Sequence, residues 1–184
     1  IWGIRLAYHI GKRNFNQEED HRYQQFRRDW GRHYLIRSIF QIYGLQAVLM
    51  LMVSTAFLDG IKQAHLNSVL LLSLGLIIYG IGLYFEIVSD AQMRQFKSNP
   101  QHKGRLMTSG LWSLSRHPNY FGECCVWWGF YLMALAGGAW WSVPSALLMT
   151  LLLLKISGVA LLEKDIAERR PGYIEYLKST SRFI

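Results

Sequence analysis

Between Ser115 and Glu123 the chain reads Ser-Arg-His-Pro-Asn-Tyr-Phe-Gly-Glu, setting a guanidinium, an imidazole, a carboxamide, a phenol and a carboxylate at the edge of an apolar stretch. On a helix Arg116, Asn119 or Tyr120, Glu123 and Trp127 recur at i, i+3 or i+4, i+7 and i+11, which is one face. Such a stripe can hold a polar, partly anionic ligand, and a phenol beside it can deliver a proton. A carboxylate about two turns into an apolar span is costly to desolvate unless it meets a partner. The plainer reading is that Arg116 and Glu123 sit at headgroup depth and snorkel.

Three further clusters carry charge. Glu86, Asp90, Met93 and Lys97 share a face near Ser89 and Arg94, either as a binding face or as a helix end extending past a membrane with acid-to-base pairing. Lys103 and Arg105 follow in a polar loop. The third cluster comprises Glu163, Lys164, Asp165, Glu168, Arg169 and Arg170, followed by Tyr173 and Tyr176. There Ile166, Tyr173, Ile174 and Leu177 suggest an amphipathic helix at an interface. The fourth gathers Arg5, Tyr8, His9 and Arg13, then Glu18 to Tyr23, whose alternating signs read as a solvated surface. Phosphate loops, dinucleotide fingerprints and hydrolase elbows are missing, as are zinc-protease and Cys-x-x-Cys motifs, and the six histidines lack metal-ligand spacing. No metal is expected. Cys124 and Cys125 are neighbours in an apolar segment and build no disulfide framework.

The elements that position these groups follow from where charge is absent. The 184 residues are 51% apolar and only 17% charged. No Asp, Glu, Lys or Arg falls in 38–58, 63–85 or 124–154, gaps of 21, 23 and 31 residues. Roughly 20 apolar residues cross a bilayer as a helix. The pattern excludes disorder, collagen, coiled coil and disulfide scaffolds, and predicts an all-α polytopic transmembrane bundle. Its spans are placed at about Ser38–Leu58, Leu66–Phe85, Arg116–Gly137 and Val143–Leu162. Residues 1–10 read as the end of an earlier span. The chain opens on Ile1 without a signal peptide and reads as a fragment of a roughly seven-span protein whose N-terminal spans are missing. Residues 1–184 form one transmembrane domain. Of 20 Lys and Arg, 17 fall in 11–37, 86–116 and 163–184, so these segments are placed on the cytoplasmic side. The net charge of +8 thus expresses topology, and nucleic acid is not an expected partner because groove-reading and base-stacking motifs are absent. Trp112, Trp140 and Trp141 mark the interfaces, and Ser142-Val-Pro144 reads as a cap with an early-helix proline.

From Gly110-Leu-Trp112 through Ser115–Glu123 the sequence resembles the steroid 5-alpha-reductase superfamily, most nearly its bacterial branch of DUF1295-type membrane proteins. The Arg5-Leu-Ala element, Glu19–Tyr23, Ser89-Asp90 and Leu161–Lys164 ahead of the paired tyrosines recur in the same order, so the likeness covers nearly the whole chain. It implies a helical membrane reductase using NADPH on the cytoplasmic side. The substrate would be a hydrophobic molecule from the lipid phase, an enone such as a 3-oxo-Δ4-steroid, whose carbon–carbon double bond is reduced. By matched position Asp90 contacts the nucleotide, Lys97 stands where arginine is common, and Arg105 precedes the Gly-Leu-Trp turn. Asn119 and Glu123 hold the nicotinamide end. Arg116, His117 and Glu163 complete the cofactor-binding set, although Glu163 and Asp165 stand where the animal enzymes have histidine and tyrosine. Those enzymes also carry a second glutamate one turn after Glu123, where this chain has Val126 or Trp127. Tyr8 and Tyr120 are the candidates for polarising the substrate carbonyl.

Chemically, the dinucleotide needs several fixed cations, for which Arg94, Lys97, Arg105 and Arg116 are available, with Lys97 and Arg105 suited to the 2′-phosphate. Two rivals remain. One is an S-adenosylmethionine-dependent methyltransferase of the isoprenylcysteine type, a more distant relative sharing Arg-His-Pro-x-Tyr. The other is a non-catalytic subunit packed with partners in a membrane complex.

Overall fold

The structure, a computed structural model, describes residues 1–15, 19, 21–62, 66–156, 158, 159, 163, 166 and 170–183; the side chains of 13, 21, 22, 57 and 59–62 are outside that description. It is all-helical among the described residues. Two units divide the chain, Ile1–Leu51 and Met52–Ile184.

The first unit holds α1 (Trp2–Asn14), α2 (His21–Trp30), a 3-10 turn (Gly31–His33), α3 (Tyr34–Arg37) and a π-helical segment (Ser38–Gly44). It ends in the first turns of α4 (Leu45–Lys62), which runs on past its boundary. At the start of the π segment the Ser38 hydroxyl donates to Tyr34 O (2.7 Å), a back-bond that competes with the helical ladder. Phe26 and Trp30 stack at 4.8 Å on α2. Lys164, Asp165, Glu168 and Arg169 of the third cluster, Leu161 and Leu162 of the matched element, and Glu18 and Asp20 of the fourth lie outside the described residues.

In the second unit Ser68 caps α5 (Val69–Ser98), its Oγ accepting the Leu71 N–H at 3.2 Å. The helix is 30 residues long and runs 13 residues past the span limit placed at Phe85, because helical hydrogen bonding does not stop at the first charge. It ends at Asn99, extended ahead of Pro100, and Asn99 Oδ1 accepts the Gln101 N–H. A short α6 (Leu111–Leu114) precedes α7 (Pro118–Ala136), which starts with proline at its first position. Then come a 3-10 turn (Trp140–Ser142), α8 (Val143–Leu151), a π segment (Leu152–Ile156) and α9 (Tyr173–Ser179). Ser142 stands at the N-cap position of α8 as expected, but its hydroxyl donates to Ala139 O (2.7 Å) instead of accepting an amide, and Pro144 falls in the first turn.

α5 and α7 form the core of this unit, antiparallel and unusually close. Gly75 faces Gly129 and Gly82 faces Gly122; a Cβ on Gly82 would lie 2.6 Å from Gly122 O, and one on Gly129 would lie 2.9 Å from Gly75 O. The spacing of seven on both helices brings one glycine to the seam every second turn. Such backbone approach is how apolar helices associate where lipid removes the hydrophobic drive. Phe85 packs edge-on against Phe121 (5.0 Å), and Trp128 Nε1 donates to Thr150 Oγ1 of α8 at 3.2 Å.

Two helical stretches, Tyr23–Ala56 and Val69–Ser98, are long and apolar enough to cross a membrane. The apolar stretch at Trp140–Ile156 is shorter. Leu70, Leu74, Ile77, Ile81 and Tyr84 on α5 are exposed, a face suited to lipid.

Candidate functional site

The buried heart of the candidate site is the turn before α7. Ser115, Arg116 and His117 are each under 9% exposed. The Ser115 hydroxyl accepts the His117 N–H (3.1 Å) and donates to Arg182 O (2.9 Å), while Arg116 N–H donates to Ser181 O (3.0 Å). The C-terminal segment is thereby strapped along the turn, and Phe183 reaches the Phe121 ring at 6.1 Å. Beneath it α9 buries Tyr173 and Tyr176, and the Tyr176 hydroxyl donates to the carbonyls of Trp112 and Ser115.

Glu163 is the hub. Its Oε1 accepts from His117 Nε2 at 2.9 Å and lies 3.4 Å from Arg116 Nη1; its Oε2 accepts from Arg182 Nη2 at 3.0 Å. Burial pulls the Glu163 carboxyl upward, yet the His117 hydrogen bond and the Arg116 and Arg182 charges outweigh it, so its pKa lies below the ordinary carboxylate value. For His117, which precedes α7, burial wins over the pull of Glu163 and lowers its pKa. The neutral ring then carries its hydrogen on Nε2, toward the carboxylate. Two guanidinium charges thus face one carboxylate, leaving about one net positive charge in a largely dry setting. Arg116 Nε and Nη1 are buried without hydrogen-bond acceptors, and so is the Tyr173 hydroxyl. Burial first, then the Glu163 charge, push the Tyr173 phenol up to about 12, so it stays protonated.

The single-face stripe holds only in part. Arg116 precedes the helix and turns to Glu163, because proline at the first position starts α7 one residue after His117. Within α7, Glu123 Oε1 accepts from Trp127 Nε1 at 3.0 Å, as their spacing requires. Asn119 and Tyr120 are half-buried, and the Tyr120 ring stacks on His117 at 5.8 Å. Asp90 is half-buried on α5, whereas Lys97, Arg94 and Arg105 are exposed. The expected convergence of these cations with Arg116 is corrected in one respect: Arg116 is buried and ion-paired, the other three are solvated. Tyr8 lies in the first unit on α1, 64% exposed, with the Lys12 ammonium 5.9 Å above its ring.

Sequence reading missed Arg182, whose guanidinium meets Glu163 19 residues away and whose carbonyl meets Ser115 67 residues away; it held Ser115 and Tyr173 in separate polar clusters without joining them. It also left Glu86 either on a binding face or at a helix end extending past the membrane. In fact Glu86 is 1% exposed on the α5 face toward α7, its Cγ 3.0 Å from where a Gly122 Cβ would stand. The apolar set read for the amphipathic helix is divided in α9: Tyr173 faces inward with Tyr176, while Ile174 and Leu177 are exposed.

The sequence profile of a family described as "Protein of unknown function (DUF1295)" matches residues 1–180. The chain belongs to the DUF1295 family. Its members' shared pattern therefore covers both units, from α1 through α9. A stretch of 49 residues is 49% identical to a probable O-methyltransferase, ustE, of Ustilaginoidea virens, covering 27% of this DUF1295 chain and 17% of that protein. No solved structure matches the chain.

Proposed function

We propose that this DUF1295 protein is a multi-pass membrane reductase that uses NADPH to saturate the carbon–carbon double bond of an apolar enone, a 3-oxo-Δ4-steroid or a similar lipid. The observation that carries the reading is Arg116, a buried guanidinium with two donors free of hydrogen bonds, at the head of a helix whose first-turn amides also seek an acceptor. That donor set fits an anionic cofactor.

When bound, NADPH supplies the hydride. The chain's own residues would do the rest. Asn119 and Glu123, on the first two turns of α7, would hold the carboxamide end. Arg116, with His117 and Glu163 fixing its position, would meet a phosphate oxygen. Asp90 would take a ribose hydroxyl, and the solvated Lys97 and Arg105 the 2′-phosphate. As charge builds on the substrate oxygen a hydrogen-bond donor must meet it, and Tyr120 or Tyr8 would give that proton.

The second reading has S-adenosylmethionine as cofactor and a methylated lipid as product; the 49-residue likeness to a probable O-methyltransferase fits it no better than the first. Purified full chain in detergent decides between them. NADPH at a hundredfold excess over its Kd should stabilise by about 2.7 kcal/mol. It should also be consumed when an enone is added, and S-adenosylmethionine should give no shift. A shift with S-adenosylmethionine and none with NADPH would reverse the assignment. No shift with either, together with stoichiometric co-purifying subunits, would make the chain a non-catalytic member of a complex.

A further inference from the structure

A cavity of 480 Å³ opens between the last turns of α5 and the loop that follows, lined among others by Gln92, Gln95, Phe96, His102, Ser109 and Gly110. None of the ten candidate residues lines it, and neither does any acid or base of the Asp, Glu, Lys or Arg type. Its chemistry is neutral: amides, hydroxyls, one imidazole and a phenyl ring. A cavity of this size suits a small organic group with polar edges.

Two of its polar groups are held in fixed orientation. His102 stacks on Phe96 at 4.4 Å and 17°, with Nδ1 3.1 Å from Phe96 O. A carbonyl only accepts, so Nδ1 carries the hydrogen and in the neutral ring Nε2 presents a lone pair. Gln92 Oε1 accepts the Leu111 N–H at 3.0 Å, which fixes the amide and leaves the NH2 group as donor. The side chain is pinned further by Gly110, whose positive φ of 63° and lack of a Cβ let Gln92 lie against the turn. A flat aromatic wall, an oriented donor and an oriented acceptor are what a purine edge needs: the adenine amine would donate to His102 Nε2 and a ring nitrogen would accept from the Gln92 NH2. Lys97, Lys103 and Arg105 lie exposed on the same segment, where phosphates leaving the base would pass.

We propose that this cavity seats the adenine base of the cofactor. The inference rests on the nucleotide reading above only in requiring an adenine-bearing ligand, a property NADPH and S-adenosylmethionine share. The full chain, purified in detergent, is titrated with NADPH, adenosine 2′,5′-bisphosphate, S-adenosylhomocysteine and reduced nicotinamide mononucleotide. Two variants are compared with wild type: Phe96→Ala, which removes the stacking wall, and Ser109→Trp, which fills the cavity from an exposed position. The adenine-bearing ligands that bind wild type should weaken about tenfold or more in both variants. Reduced nicotinamide mononucleotide should bind all three proteins alike. Equal affinity of the adenine ligands for wild type and Ser109→Trp would overturn the assignment, as would a wild type that takes none of them. Binding of S-adenosylhomocysteine but not NADPH, lost in Ser109→Trp, would leave the adenine seat standing while removing the reductase reading.

Discussion

Adding one methyl group at Gly82 tests the seam on which the α5 and α7 parts of the candidate site depend. A Cβ there would lie 2.6 Å from Gly122 O and 2.7 Å from Val126 N, where ordinary contact begins near 3.4 Å. The obstacles are backbone atoms of a facing helix, so relief requires α5 and α7 to part locally by about 0.8 Å. A gap of that order forfeits a quarter to a half of each dispersion contact across it. The measured cost of such overpacking is about 1–3 kcal/mol. Alanine also raises helix propensity by up to about 1 kcal/mol over glycine, which partly hides the clash. Gly80→Ala supplies the control, because its Cβ would meet nothing within 4 Å on the same helix. The difference between Gly82→Ala and Gly80→Ala therefore isolates the steric effect. For a chain of this length, about 2–4 °C of Tm per kcal/mol gives a gap of about 2–12 °C in detergent melts. Gly122→Ala, 2.7 Å from Gly82 O, should behave like Gly82→Ala. Equal melting temperatures for Gly82→Ala and Gly80→Ala would refute the glycine seam.

The two tyrosines of α9 should respond oppositely to loss of their hydroxyls. Tyr176→Phe strands the Trp112 and Ser115 carbonyls and should cost about 1–3 kcal/mol, whereas Tyr173→Phe removes a hydroxyl that bonds nothing and should be neutral or stabilising by the same melts. Acidification should weaken the second unit in two stages. The lowered His117 value means the unfolded chain takes up a proton first below about 6.5, and the lowered Glu163 value means stability present above about 4.5 is lost as pH falls through the folded value. Melting temperature followed from pH 8 to pH 2 should therefore fall, with the lower stage absent in Glu163→Gln; a flat wild-type profile would contradict the cluster as drawn.

What could be read from the sequence was whatever acts over one or two turns. The early-helix Pro144 of α8, the shared face of Glu123 and Trp127 and the all-helical class all come from local spacing, and the structure holds them. Absence of charge delimits an apolar slab ending at Phe85, while the helix itself continues to Ser98 because its backbone ladder stays intact, as the reading of a helix end extending past the membrane allows. Gly75, Gly82, Gly122 and Gly129 were visible as sevenfold spacings. Their meaning needed the partner helix, since a glycine declares close approach only when something approaches. Arg182 could not be assigned at all. Its partner Glu163 is 19 residues away, and the strap that carries it is anchored on Ser115, 67 residues away, so no period or motif connects them.

Charge in this chain is divided in a way that bears on the kind of ligand it can hold. At the head of α7 Glu163 offsets one of the two guanidinium charges of Arg116 and Arg182, so an incoming anion there competes with a carboxylate already in place. Selectivity at such a spot comes from geometry, from which donors remain unbonded after Glu163 has taken its share, and Arg116 Nε is one that does. Lys97, Lys103 and Arg105 are different: solvated and outside that balance, they attract any phosphorylated group, with a strength that salt screens. A dinucleotide, with phosphates at its middle and one end and a neutral amide at the other, uses both kinds of surface. S-adenosylmethionine, a sulfonium with one carboxylate and no phosphate, has use only for the first. The exposed basic strip at the end of α5 and in the loop after it, without a carboxylate partner among the described residues, is thus the feature that supports the proposed phosphorylated cofactor.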